Sequence, residues 1–165
     1  MRRASLALAA AMLAGCASVP PPSPPASSAA PRVEFFRRPE SRAPFSPAVR
    51  VGEVVYLSGQ IGAAPDGSIP AGIEAQARAA MDNLAAAAKL AGVTLDDVFK
   101  CLVMLDDMSQ WAAFNRVYVG YFTPERLPAR SAFGVDGLAL GATVEVECMA
   151  VAPAPVPAIR THGAP

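Results

Sequence analysis

Two residues in the last third of the chain are the ones best suited to chemistry. Arg130 lies in Pro128-Ala129-Arg130-Ser131, and Glu145 lies in the run Thr143-Val144-Glu145-Val146-Glu147-Cys148-Met149-Ala150. A guanidinium is a rigid fork that binds a carboxylate bidentately, while a carboxylate held nearby positions a water or moves a proton. Together they suit a small carboxylic acid that must react with water. Both segments read as strands and are expected to be neighbours. Taken singly, the same residues also fit an arginine closing a surface turn and a solvated strand face carrying Glu145 and Glu147.

The elements that would position this pair alternate between strand and helix patterns. Residues 48–51 and 54–58 are β-branched runs joined by Gly52-Glu53, a hairpin signal. Ser58-Gly59-Gln60-Ile61-Gly62 then reads as a turn away, and Pro65-Asp66-Gly67 as a loop. From 73 to 90 the chain is alanine-rich, with Ile73, Ala77, Met81, Leu84 and Ala88 at helical spacing and Gly92 as the C-terminal cap. Residues 99–105 form an apolar strand. Ser109 is the expected cap of a second helix in which Trp111, Phe114, Tyr118 and Phe122 recur every three or four residues and read as core. Thr123-Pro124 ends it, and 131–135 and 142–151 supply two more strands. The order ββαβαββ predicts an α+β fold, a mixed sheet with two helices packed on one face.

Alternation along the last strand assigns its faces. Val144, Val146, Cys148 and Ala150 belong under the helices, and Thr143, Glu145, Glu147 and Met149 point the other way. That second face mixes carboxylates with apolar surface, as an oligomer interface does. Cys101 and Cys148 sit in apolar strands, where buried, inert cysteine is the usual state; spacing leaves open whether they pair. His162, the only histidine, stands in a proline-rich tail, so neither a metal site nor a His-based triad can be built. Gly59-Gln60-Ile61-Gly62 has the wrong spacing for a phosphate-binding loop.

The N-terminus has a different organisation. Arg2 and Arg3 precede an apolar run from 6 to 13 and then Leu13-Ala14-Gly15-Cys16. The run is too short to span a bilayer and has the three regions of an export signal. Its end resembles the lipobox of bacterial lipoproteins, which implies lipidation of Cys16 after removal of residues 1–15. A plain secretory signal cut near Ala14 or Ala17 is the alternative. Acyl chains contribute roughly 0.8 kcal/mol per buried methylene, so several of them hold firmly. Ala17, where inner-membrane retention usually has Asp, implies an exported, lipid-anchored protein of the cell envelope, on the outer membrane facing the periplasm. Residues 16–42 read as the lipidated cysteine and a Pro/Ser/Ala-rich linker, 43–152 as the folded domain, and 153–165 as a proline-rich tail. About 15 extended residues at roughly 3.1 Å each give the linker a reach of some 45 Å.

Charge excludes one class of partner. The chain carries 14 basic and 14 acidic side chains, and loss of Arg2 and Arg3 leaves 12 against 14. No basic helix interleaved with aromatics is present, so nucleic acid is not expected as a partner.

The stretches 47–62 and 91–122, with Pro-Ala-Arg-Ser at 128–131 and the strand at 143–150, resemble the RidA (YjgF) family of enamine and imine deaminases over nearly all of 43–152. The resemblance implies a chorismate-mutase-like RidA fold, a homotrimer with active sites in clefts between subunits, and no cofactor. It implies hydrolysis of 2-imino acids, of the 2-aminoacrylate or 2-iminobutyrate type, to 2-keto acids and ammonia. Arg130 matches the family arginine that grips the substrate carboxylate, and Glu145 the acid that holds the attacking water. Phe45 falls where many members have tyrosine and Ala132 where the best-known members have cysteine, both lining the substrate site, with Asn115 on the helix position usually written Asn. The ribonuclease activity ascribed to some members finds no support in the charge pattern. A non-catalytic module that binds small carboxylates through Arg130 is the alternative function on the same fold.

Overall fold

The computed structural model describes residues 32–153. The signal at 1–15, Cys16, most of the linker, His162 and the tail from 154 lie outside the described residues. The elements run β1 (Val33–Phe36), β2 (Ala48–Val51), β3 (Val54–Ile61), α1 (Ile73–Leu90), β4 (Val98–Leu105), α2 (Trp111–Tyr118), β5 (Ala129–Gly134) and β6 (Val144–Val151). This is the expected α+β order with one strand added in front. β1 lies in the stretch read as linker and pairs with β2 from Val33↔Val51 to Phe36↔Ala48, so the folded domain begins about ten residues before 43.

All six strands form one sheet in the order β1-β2-β3-β6-β4-β5. Every pairing is antiparallel except β4 with β5. The hairpin of β2 and β3 turns at Gly52, whose φ of 61° lies in the left-handed region that glycine enters without strain. β3 does not turn away at Ser58. It continues to Ile61 through a bulge between Leu57 and Gln60, where one extra residue faces β6.

Both helices cover one face. Ala77, Ala80, Met81, Leu84 and Ala88 of α1 are wholly buried, and they close over Val55, Val103, Val144 and Val146 from the sheet. Each large side chain so buried stabilises the fold by roughly 1.5–3 kcal/mol. Gly92 ends α1 as expected: its N–H donates to Lys89 O at 3.1 Å and that of Val93 to Ala88 O at 3.0 Å, satisfying two carbonyls at the helix end. Arg116 of α2 donates to Glu74 of α1 at 2.9 Å, an exposed tie between the helices. The second helix starts differently from the expectation. The carboxylate of Asp107, not Ser109, is the capping acceptor, receiving the Ser109 N–H at 2.8 Å at the start of a short 3-10 turn. Beyond Tyr118 the chain tightens into a second 3-10 turn at Val119–Tyr121.

Cys101 and Cys148 stand directly opposite each other on β4 and β6, with Cα atoms 4.1 Å apart, and form a disulfide under the helices. This settles the pairing that spacing left open.

Candidate active site

Arg130 lies on β5, an edge strand, and α2 holds its side chain. The register Arg130↔Cys101↔Cys148 sets it on the helix-covered face. There the guanidinium carbon is 4.5 Å from the centre of the Trp111 ring and 4.4 Å from that of Tyr118. Trp111, Asn115 and Tyr118 stand at i, i+4 and i+7 of α2 and form one stripe. Among the described residues Arg130 Nη1, Asn115 Oδ1 and Tyr118 Oη are buried atoms without a hydrogen-bond partner. Burial pushes the Tyr118 hydroxyl up to about 12, with the Arg130 charge pulling the other way, so the ring stays neutral. Ala132, two residues along β5, shares the face of Arg130 and packs against the core.

Glu145 is placed by other elements. Val144 and Val146 face the helices, so alternation puts Glu145 on the opposite side of β6. The bulge of β3 brings Gly59 over it. A Cβ built at Gly59 would overlap Glu145 Oε1 and lie 2.9 Å from its Cδ, so glycine leaves the space that the carboxylate fills. Burial, and then the charge of Glu147 on the same face, push the Glu145 carboxyl above its ordinary value. The segment bearing Phe45 runs beside this bulge: Ser58 Oγ donates to Ser46 O at 2.7 Å, and Ser58 N–H to Pro47 O at 3.0 Å. Phe45 itself is 49% exposed.

The candidate residues therefore form two groups. Arg130, Ala132 and Asn115 belong to the β5 edge and α2, and Glu145 and Phe45 to the β3 and β6 half. The expectation that the strands of Arg130 and Glu145 are neighbours is corrected: β4 lies between them. Two strand spacings separate them by about 10 Å laterally, three residues along β6 add about 10 Å, and the side chains leave opposite faces. Pairing between strands distant in sequence set this arrangement, and local pattern does not report it. Trp111, Tyr118 and Gly59 also serve the candidate site. The first two read as core and the third as a turn. A polar Asn115 inside an otherwise aromatic stripe was the available signal for the helix, whereas nothing local marked Gly59. Among the described residues no three His, Cys, Asp or Glu side chains gather as a metal would require.

A six-stranded sheet with helices on one face and an arginine held against two aromatic rings at its edge defines a class by fold and site together. The chain belongs to that class, the RidA/YjgF family, whose family model, described as endoribonuclease L-PSP, matches residues 35–152. The mouse 2-iminobutanoate/2-iminopropanoate deaminase is 38% identical over 121 residues, covering 72% of this chain and 89% of its own. Among solved structures, the YjgF gene product of Escherichia coli is similar with a TM-score of 0.65 at 31% identity, covering 72% of this chain and 98% of that one. TdcF of the same organism, solved with bound serine, has a TM-score of 0.64 at 33% identity, covering 73% and 98%.

Proposed function

We propose that this protein is a hydrolytic deaminase that converts 2-imino acids to 2-keto acids and ammonia. The observation that carries the reading is Arg130, fixed between two aromatic rings with Nη1 unpaired, in a chain similar to a named 2-iminobutanoate/2-iminopropanoate deaminase. A serine-bound relative adds that a small amino acid fits this fold.

In this mechanism Arg130 holds the substrate carboxylate through in-plane N–H groups, fixing the C=N carbon. The Glu145 carboxylate takes a proton from a water as its oxygen bonds to that carbon and the C=N π pair moves to nitrogen. Protonated Glu145 returns that proton to nitrogen, giving a carbinolamine. The carboxylate then takes the hydroxyl proton as the C=O forms and delivers it to nitrogen as the C–N bond breaks, so ammonia leaves and Glu145 is regenerated. A carboxyl whose pKa is raised suits both steps, because its carboxylate is a stronger base toward water than an ordinary one, while its acid form lies closer to the working pH and still returns the proton.

The site is read as composite, with Arg130 from one copy and Glu145 from another in a homotrimer. Their placement on opposite faces supports this, as does the helix-free face, which presents Phe35 at 69% exposure and Tyr56 at 45% in one register row with Val49 and Met149. Sedimentation at micromolar concentration should give three times the chain mass, and a monomer with full activity would overturn the composite site.

The location is read as the cell envelope, anchored at Cys16. The Cys101–Cys148 bridge supports it, since disulfides persist in oxidising compartments. Wild type should fractionate with membranes and incorporate labelled fatty acid, and Cys16→Ser should do neither.

The activity test supplies imino acids in situ with an amino acid oxidase and follows keto acid release above the uncatalysed rate. Acceleration reduced about a hundredfold in Arg130→Ala, with a residual rate still measurable above the uncatalysed one, is the expected result. Saturable carboxylate binding without acceleration would overturn the enzyme and leave a binding module.

A further inference from the structure

A cation presented to a ligand needs restraint that does not use up its donors. An arginine side chain carries about 2 kcal/mol of rotamer entropy, and the usual restraint is a carboxylate partner. Such a partner would occupy the in-plane N–H groups and offset the charge that attracts an anion. Among the described residues the ion pairs involve Arg78 and Arg116 with Glu74, and none involves Arg130. Its contacts are the faces of Trp111 and Tyr118, at 4.5 and 4.4 Å. Ring faces attract the guanidinium through their quadrupoles without a carboxylate taking up its N–H groups, so the cation is restrained while its donors are left for a ligand. The rings are themselves fixed. Trp111, Phe114, Tyr118 and Phe122 form a ladder along α2 and its 3-10 extension, with centroids 6.2, 5.5 and 4.9 Å apart, and Phe114 at its centre is wholly buried.

We infer that Trp111 and Tyr118 are positioning residues that aim Arg130 at the substrate carboxylate by cation–π contact, and that Trp111 sets substrate affinity through Arg130 alone. The inference rests on reading Arg130 as the carboxylate-binding residue. Its signature is a rise in KM, because a misaimed arginine weakens carboxylate binding, and kcat changes less.

The test is a double-mutant cycle in the full chain, with imino acid turnover as readout. Trp111→Leu should raise KM about tenfold, consistent with a desolvated cation–π contact, and Trp111→Phe should restore most of the loss. In the Arg130→Ala background Trp111→Leu should change kcat/KM less than twofold, because the residue it acts through is already gone. Phe122→Leu cuts the same ladder at the rung that does not itself touch Arg130, and it should lower Tm while raising KM much less than Trp111→Leu does. Trp111 is the only tryptophan of the chain. Biosynthetic replacement by mono-, di- and trifluorotryptophan therefore weakens this ring face alone while nearly keeping its shape, and KM should rise stepwise with fluorine number. A KM that ignores fluorination, or a Trp111→Leu effect equal in both backgrounds, would overturn the inference while leaving Arg130 in its role. Full activity in Arg130→Ala would instead overturn the functional reading on which it stands.

Discussion

The two halves of the candidate site hold their charges by opposite means. At the β5 edge, a helix surrounds the Arg130 cation with aromatic surface that binds it without consuming its hydrogen-bond donors. In the sheet centre, a bulge and a glycine clear the space that the Glu145 anion occupies, and partial burial beside Glu147 holds that anion closer to neutrality. One half works by added contact and the other by omitted bulk. The cation half should therefore respond to changes in ring chemistry, and the anion half to changes of a single methyl group.

The largest effects should come from removing either charge. Glu145→Gln should lower kcat by about 10²–10⁴-fold, the range for a general acid–base group. Arg130→Ala should lower kcat/KM by about a hundredfold or more, since each hydrogen bond to a charged group contributes roughly 1.5–3 kcal/mol. Steady-state rates on in situ imino acids measure both. If Arg130→Ala fell chiefly in kcat and Glu145→Gln chiefly in KM, the division of roles would be reversed.

Gly59→Ala should follow, with kcat down about 10- to 100-fold and KM nearly kept, because one methyl displaces the carboxylate. An unchanged kcat would show that Glu145 moves aside without penalty. The disulfide comes next. Closing 47 residues contributes about 4 kcal/mol in a chain-entropy treatment, so Cys101→Ala with Cys148→Ala should lower unfolding stability by roughly 2–4 kcal/mol in urea titrations. Activity at 25 °C should survive.

The smallest effect is a pH shift. Because the Glu145 pKa is raised, the acid limb of kcat/KM should lie above the ordinary glutamate range. Glu147→Gln removes a neighbouring negative charge and should move that limb to lower pH, by less than about one unit. The stability linkage has the same origin. The folded chain holds this proton more tightly than the unfolded one, so the contribution is full below the ordinary glutamate pKa and is lost as pH rises through the folded value.

Local pattern carried much of this fold and less of the site. The α1 stripe, the Gly52 hairpin and the alternation of β6 were legible because each buries one face at a fixed period. β1 was not. Its four residues lie in a stretch rich in Pro and Arg, and Phe35 is mostly exposed, so no apolar alternation marks it. Ser58-Gly59-Gln60-Ile61-Gly62 looked like a turn because a bulge and a turn both use glycine. The insertion of β4 between β5 and β6 was invisible, since strand order is decided by crossover packing and not by neighbours in sequence. Arg130 and Glu145 stood out by residue type, but the aromatic grip on one and the glycine above the other needed the folded chain.

The Cys101–Cys148 bridge also changes what a protease can do to this molecule. All of α2 and β5 lie within the covalent ring it closes, as does the exposed connection around Arg126 and Leu127. Such exposed tips are where nicking concentrates. A single cut there severs the backbone but releases no fragment. The nicked protein keeps the arginine strand tied to the centre of its sheet, and only a reductant separates the pieces.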